Sequence, residues 1–213
     1  MDNQLTFELP IHVSSERADF FVSESNKMAV QMIDDWENWP GKKHLLVGPK
    51  FSGKSHIARI WAFETGSTIL SASDIHDPIN IAHTKIVIED LDKIAGDFAA
   101  EENFLHLHNI CQENDVFMLI TGTNSPNTWN IKIADLASRL AGIRQAIINN
   151  PDDTLFTALL TKLFRDRQIN PSPKILNFLL VRLERSYEGA FQFVCAADKM
   201  TLAKNSPLSF TLA

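Results

Sequence analysis

No apolar run in this chain of 213 residues approaches the ~18 residues needed to cross a membrane. The amino terminus, Met1-Asp2-Asn3-Gln4, lacks the basic stretch that opens a signal peptide. Basic residues are in deficit: 20 Lys and Arg against 26 Asp and Glu leave a net charge of −6, with an isoelectric point near 5.6. A protein that holds DNA by itself carries a basic face, and this composition argues against direct, specific DNA binding. Cysteine is scarce. Cys111 and Cys195 lie far apart in apolar helical patterns, as expected of reduced core thiols in a cytoplasmic protein rather than a disulfide framework. Repeats and low-complexity tracts are absent. What is present is an apolar fraction of 45%, ample for a core, in a length that suits one large domain or one domain with a small companion.

The stretch around which the chain is organised is Gly48-Pro49-Lys50-Phe51-Ser52-Gly53-Lys54-Ser55, which fits the phosphate-binding pattern G-x-x-x-x-G-K-[ST]. His44-Leu45-Leu46-Val47 before it is apolar and strand-like, and His56 to Ala62 after it has a helical pattern. Gly48 and Gly53 let the backbone turn its N–H groups toward a polyphosphate, and the new helix adds its positive end. Lys54 is then the residue to reach the β- and γ-phosphates, and Ser55 the one to hold Mg²⁺. The alternative is a chance Gly-rich turn before a helix. It explains neither the complete pattern nor the strand–loop–helix context.

Residues 1–13 form a detached segment. Gln4-Leu5-Thr6-Phe7-Glu8-Leu9-Pro10 mixes polar and large apolar residues, and its pattern alone fits a docking peptide, an edge strand or an idle tail. Asp19-Phe20-Phe21-Val22 is a brief apolar run. Ser25 or Asn26 is placed to cap a helix from Lys27 to about Glu37, which Pro40-Gly41 breaks. Strands are predicted at Thr68 to Ser71, Lys85 to Asp90, Val116 to Gly122 and Gln145 to Ile148, beside the strand before the phosphate loop. Helices are predicted at Glu101 to Glu113 and Ile133 to Leu140, with a loop or short helix from Asp74 to His83. Continuous apolar strands alternating with helices imply an α/β fold: a five-stranded parallel sheet between helices. From Pro151 the pattern is helical only: Asp152 or Asp153 to Arg165, Lys174 to Glu184, and Glu188 to about Ala203, broken at Asn170 to Pro173. The expected organisation is an α/β domain over 14–150 and a small all-helical lid over 151–213.

Glu89 and Asp90 end a strand, where ligands of such sheets gather. One carboxylate there can hold Mg²⁺ through water while its neighbour orients an attacking water. A plain acidic turn is the competing reading, since Asp92 and Asp97 follow. Thr121-Gly122-Thr123-Asn124 ends the next strand, either sensing a γ-phosphate or serving turn chemistry. Arg139 and Arg185 are each an ordinary surface residue taken alone. Together after the sheet they are also what phosphoryl transfer uses to neutralise charge.

On these residues the chain resembles the AAA+ ATPases, and within them the DnaA initiator branch, over about residues 19 to 200. Phe21 to Asn26 resembles the adenine-side box, which implies nucleotide contact by Phe21 and Val22. Gly48 to Ser55, with His56 adjoining, resembles Walker A, and Ile86 to Asp90 resembles Walker B. Thr123 with Asn124 takes the sensor 1 position. Asp135-Leu136-Ala137-Ser138-Arg139-Leu140 is similar to the segment that bears an arginine finger. Arg185-Ser186-Tyr187-Glu188-Gly189-Ala190-Phe191 resembles the sensor 2 segment, with Arg185 in the arginine's place. The resemblance implies bound ADP or ATP with Mg²⁺, ADP being the preferred resident.

Gln4, Leu5, Thr6, Phe7 and Leu9 resemble the short motif by which regulators in this branch bind the bacterial replicative sliding clamp, the β subunit of DNA polymerase III. The helix-turn-helix domain that follows the lid in DnaA is not in the sequence, which stops at Ala213. The implied partners are therefore DnaA and the clamp, with self-association into a homodimer left open. The implied activity is hydrolysis of DnaA's ATP, promoted in trans by Arg139. Two departures bear on turnover. Glu89 stands where Walker B usually has Asp, which shifts the metal position, and sensor 1 lacks its usual Asp. The resemblance thus implies nucleotide binding ahead of hydrolysis by this chain alone. Rival readings are a self-contained ATPase such as a helicase loader, a P-loop small-molecule kinase, and a nucleotide-stabilised interaction module. The acidic balance opposes the first and the apolar lid the second.

Overall fold

The computed structural model describes Arg17, residues 20–81 and residues 85–204. Five strands, β1 (Lys43–Val47), β2 (Thr68–Ser71), β3 (Ile86–Glu89), β4 (Met118–Gly122) and β5 (Gln145–Ile147), form one sheet. Their order is β2-β3-β4-β1-β5. All pairings are parallel, with Leu45 opposite Ile120 on one side of β1 and Gln145 on the other. The chain leaves β1 for the far edge and returns strand by strand to β1's flank. That makes the carboxyl end of β1 the switch point, where an open parallel sheet takes its ligand.

Helices α1 (Lys27–Asp34), α2 (Lys54–Thr65), α3 (Pro78–Ile81), α4 (Phe98–Glu113) and α5 (Ala134–Ala141) accompany the sheet. Alternation along the strands sends neighbouring residues to opposite faces. Leu46, Val87, Leu119 and Ala146 meet α1 and α2 in one core. Leu45, Val47, Ile86, Ile88, Met118 and Ile120 meet α4 and α5 in the other. Two covered faces are why the strands are nearly all apolar.

Three helices follow: α6 (Asp153–Arg165), α7 (Pro173–Arg182) and α8 (Tyr187–Lys204). They enclose a third core of Phe156, Leu160, Phe164, Ile175, Leu179 and Val194. The junction to the sheet is hydrogen-bonded. Asp152 caps α6 by accepting from the Leu155 N–H at 2.8 Å, and that bond first holds its carboxyl below the usual Asp range. Ser25 Oγ donates to Asp152 Oδ2 and accepts from its N–H, both at 2.9 Å. The segment before α1 and the start of the lid are thereby tied.

Most element bounds shift by one to three residues from the sequence expectation, and two helix ends do so for a visible reason. The first helix ends at Asp34, and Trp36–Asn38 is a 3₁₀ turn. Trp36 there packs edge-on against Phe117 (centroids 4.9 Å) and Trp61 (6.3 Å). The helix expected from Glu101 begins at Phe98, because Asp97 caps it by accepting from the Ala99 and Ala100 N–H groups. Cys111 is buried and Cys195 half-buried, both free thiols. No helix among the described residues is long and apolar enough to cross a membrane. Gln4, Leu5, Thr6, Phe7 and Leu9 lie outside the described residues.

Candidate functional site

Gly48 to Ser55 joins β1 to α2 at the switch point. Gly48 has no room for a side chain: a Cβ there would lie 2.9 Å from both Ile148 Cβ and Ser52 Oγ. Gly53, the N-cap of α2, adopts φ +92°, a conformation that glycine takes without steric cost. Lys54 is 7% exposed. Its ammonium donates to the Gly48 carbonyl at 2.7 Å and the Pro49 carbonyl at 2.8 Å. Burial lowers its pKa below the ordinary lysine value, while Asp90, Asp92 and Glu89 pull it back up. A buried ammonium bonded only to loop carbonyls at the start of a helix is arranged to receive an anion.

The carboxylates leave β3 together. Asp90 takes a left-handed φ of +56°, its N–H donating to Thr121 Oγ1 at 3.0 Å. Its carboxylate meets Lys93 at 2.6 Å, and this hydrogen bond raises the Lys93 pKa. Thr123 donates its hydroxyl to Asp92, and Asn124 is exposed. Ser52 Oγ, Glu89 Oε1 and Asp92 Oδ1 are buried without a hydrogen-bond partner among the described residues. Unfilled polar positions of this kind call for a ligand or ordered water. No cluster of three or more His, Cys, Asp or Glu side chains among the described residues is arranged to hold a metal ion.

Two cavities flank the loop. One, about 500 Å³, brings Lys50, Lys54, Ser55, Arg59, Asp90, Lys93 and Thr123 to a common space, with Phe51, Tyr187 and Phe191 at its edge. The other, about 680 Å³, is lined by Phe20, Phe21, Val22, Asn26, His56, Leu155, Leu159 and Tyr187, with Lys162, Arg165 and Asp166 also on its wall. The first has the charge for a polyphosphate, the second the apolar walls for a flat ring. Asn26 sets the wall of the second: its side chain accepts from the Ser23 N–H and donates to the Phe21 carbonyl, both at 2.8 Å. Phe20 stacks on His56, centroids 5.3 Å apart. Phe51 stacks on Phe191 of α8 at 4.3 Å and 12°, joining the loop to the lid.

No protein-family model matches the chain. An uncharacterized protein of Haemophilus influenzae is 27% identical over 218 residues, which cover 95% of this chain and 93% of that one. Domain III of the Thermotoga maritima replication initiation protein DnaA aligns with a TM-score of 0.75 at 12% identity, covering 92% of each chain. AMPPCP-bound DnaA from Aquifex aeolicus gives 0.68 at 15% identity, with 87% of this chain and 64% of that chain covered. A katanin structure gives 0.61 at 19%, covering 95% and 81%. The chain has a DnaA-like AAA+ fold.

In this AAA+ frame the two arginines occupy different places. Arg139, on α5, lines neither cavity. It bonds Asp135 at 3.0 Å and stands in the last turn of α5, the helix that runs from the carboxyl end of β4 back to the start of β5. It therefore lies toward the strand starts, away from the loop after β1. Arg185, just before α8, is paired with Asp153 at the start of α6 and also lines neither cavity. Phe20, Lys93 and Phe191 line the site without having been singled out for it. Lys93 had a local signal, the i,i+3 spacing from Asp90. The Phe51–Phe191 contact spans 140 positions and left none.

Proposed function

We propose that the chain is a nucleotide-bound regulator of replication initiation of the kind represented by Hda, the regulatory inactivator of DnaA. In this reading ADP or ATP sits with its phosphates over Gly48 to Ser55 and its base against Phe21 and Val22. The observation that carries it is Lys54, buried against two loop carbonyls at the switch point of a DnaA-like AAA+ sheet. Mg²⁺ would take the Ser55 hydroxyl, with Glu89 or Asp90 reaching it through water. When bound, it screens the phosphate charge. The unpartnered Glu89 oxygen supports that fit.

The regulatory part rests on the peptide and on Arg139. The peptide Gln4 to Leu9 docks on the sliding clamp, its apolar residues entering a pocket. The AAA+ body then meets ATP-bound DnaA, and Arg139 enters the shared interface to promote hydrolysis. An arginine finger supplied in trans contributes ~10³–10⁵ in rate. The placement of Arg139 toward the strand starts supports action on a partner's nucleotide rather than its own. The test is steady-state hydrolysis of DnaA's ATP with DNA-loaded clamp. The parent chain should stimulate, while Arg139→Ala and deletion of residues 1–10 should not. Arg139→Lys should rescue little, since an ammonium keeps the charge and loses the fork. Undiminished stimulation by Arg139→Ala would leave a nucleotide-stabilised interaction module as the better reading. Robust turnover without DnaA would favour a self-contained ATPase.

A further inference from the structure

Among the described residues Glu101 is the only acidic residue buried as a whole, at 0% exposure. It stands in the first turn of α4 and binds two loops at once. Oε1 accepts from the Gly96 N–H at 2.7 Å. Both oxygens accept from the Lys132 N–H, at 3.1 and 2.9 Å, and Oε2 accepts from the Ile133 N–H at 2.9 Å. Gly96 belongs to the loop that carries Asp90 and Asp92 away from β3. Ile133 is the N-cap of α5, and its own side chain makes no cap. Glu101 takes up the backbone N–H of Ile133, one of the donors that a helix start leaves unpaired, and sets a negative charge at the positive end of the helix bearing Arg139. Charge-assisted bonds to backbone N–H groups are short and directional. A neutral apolar side chain would leave those three donors unpaired in the interior, a strongly unfavourable state.

We propose that Glu101 is a positioning residue for Arg139. It fixes the angle at which α5 leaves the sheet and ties that angle to the loop after the Walker B carboxylates. The finger is then presented to the partner in a geometry set from the nucleotide side. This rests on the reading of Arg139 as a trans-acting arginine. A misplacement of about 1 Å in such a group can lower a rate by about a hundredfold.

The test titrates the full chain, as parent, Glu101→Gln, Glu101→Asp and Arg139→Ala, into ATP-loaded DnaA with DNA-loaded clamp. Glu101→Gln keeps the volume but turns an NH₂ toward backbone N–H donors. Its maximal stimulated rate should fall by about tenfold to a hundredfold, with the half-saturating concentration and nucleotide affinity unchanged. A variant that is only less folded does the reverse: the half-saturating concentration rises while the maximum holds, and that outcome overturns the proposal. Glu101→Asp keeps the charge on a shorter arm and keeps the readout available if the glutamine variant does not fold. It should lower the maximum less, with faster hydrogen exchange at Lys132 and Ile133. If Arg139→Ala is inactive while Glu101→Gln and Glu101→Asp match the parent, this inference alone falls. If Arg139→Ala also matches the parent, the finger reading falls with it.

Discussion

Lys54 donates to the carbonyls of Gly48 and Pro49 and is nearly out of contact with water. Burial disfavours its charge and depresses its pKa. Three carboxylates nearby compensate only in part, since Asp90 is itself engaged by Lys93. A polyphosphate would restore to the ammonium the anionic partner it lacks. Lys54→Ala is therefore expected to weaken ADP and ATP binding by at least about tenfold, the scale of a lost charge-assisted bond. The fold should persist, because the alanine suits a helix start. Calorimetric titration of parent and variant measures this, and equal affinities would remove Lys54 from the site.

At the scale of elements, the contact that defines the site's geometry joins the P-loop to α8. Phe51 holds φ +63°, uncommon for a large side chain, and its ring lies flat on Phe191. Arg167, just past the end of α6, brings its guanidinium 5.4 Å from the Phe191 centroid. The lid thus rests on the loop through the Phe51–Phe191 stack, which borders the phosphate-side cavity. An aromatic pair of this kind stabilises by ~0.5–1.5 kcal/mol beyond its buried area. Phe191→Ala should accordingly speed nucleotide release by about twofold to tenfold and leave the sheet intact. Stopped-flow displacement of a fluorescent ADP analogue reads that rate, and an unchanged rate would show that the stack does not retain nucleotide. The elements themselves were legible. Continuous apolar runs such as Ile86 to Ile88 and Met118 to Ile120 mark doubly covered strands, and the Gly48–Ser55 pattern marks the loop. The ends of the elements were less so: Trp36 leaves its helix for Trp61 and Phe117, and the Asp97 cap outweighed the periodicity that pointed to Glu101. The stack and the Glu101 bonds were invisible for one reason: each joins residues from segments whose approach only the packed fold determines.

For the whole molecule, burial of titratable groups at the strand starts sets the response to pH. His44, in β1, lies beside Trp39 with ring centroids 5.4 Å apart, and burial pushes its pKa down to about 4. His108, on α4, is pushed down to about 4 by burial first and then by Lys43 and Arg139. Its Nδ1 has no hydrogen-bond partner among the described residues. An unfolded chain protonates these rings near the ordinary 6.5. Between 6.5 and 4 the unfolded state therefore binds more protons than the native state, and stability falls as the pH falls. Each ring's contribution is complete above 6.5 and lost toward 4. Asp152, held below the usual range by the Leu155 N–H, acts only at lower pH and does not share this window. On the alkaline side burial raises the Cys111 thiol to about 11 and the Tyr187 phenol to about 12. Their unfolded counterparts lose protons first, which lowers stability as the pH rises past about 9, while the lowered pKa values of Lys43 and Lys54 act in the opposite sense there. The melting temperature should thus show an acid limb that begins near 6.5. Each histidine contributes on the order of 1–3 kcal/mol to that limb. His108→Gln, neutral throughout, should flatten the acid limb whatever it does to stability at pH 8. Thermal unfolding in steps from pH 8 to 4.5 compares the slopes, and parallel curves for parent and variant would show that the buried ring is not a source of the limb.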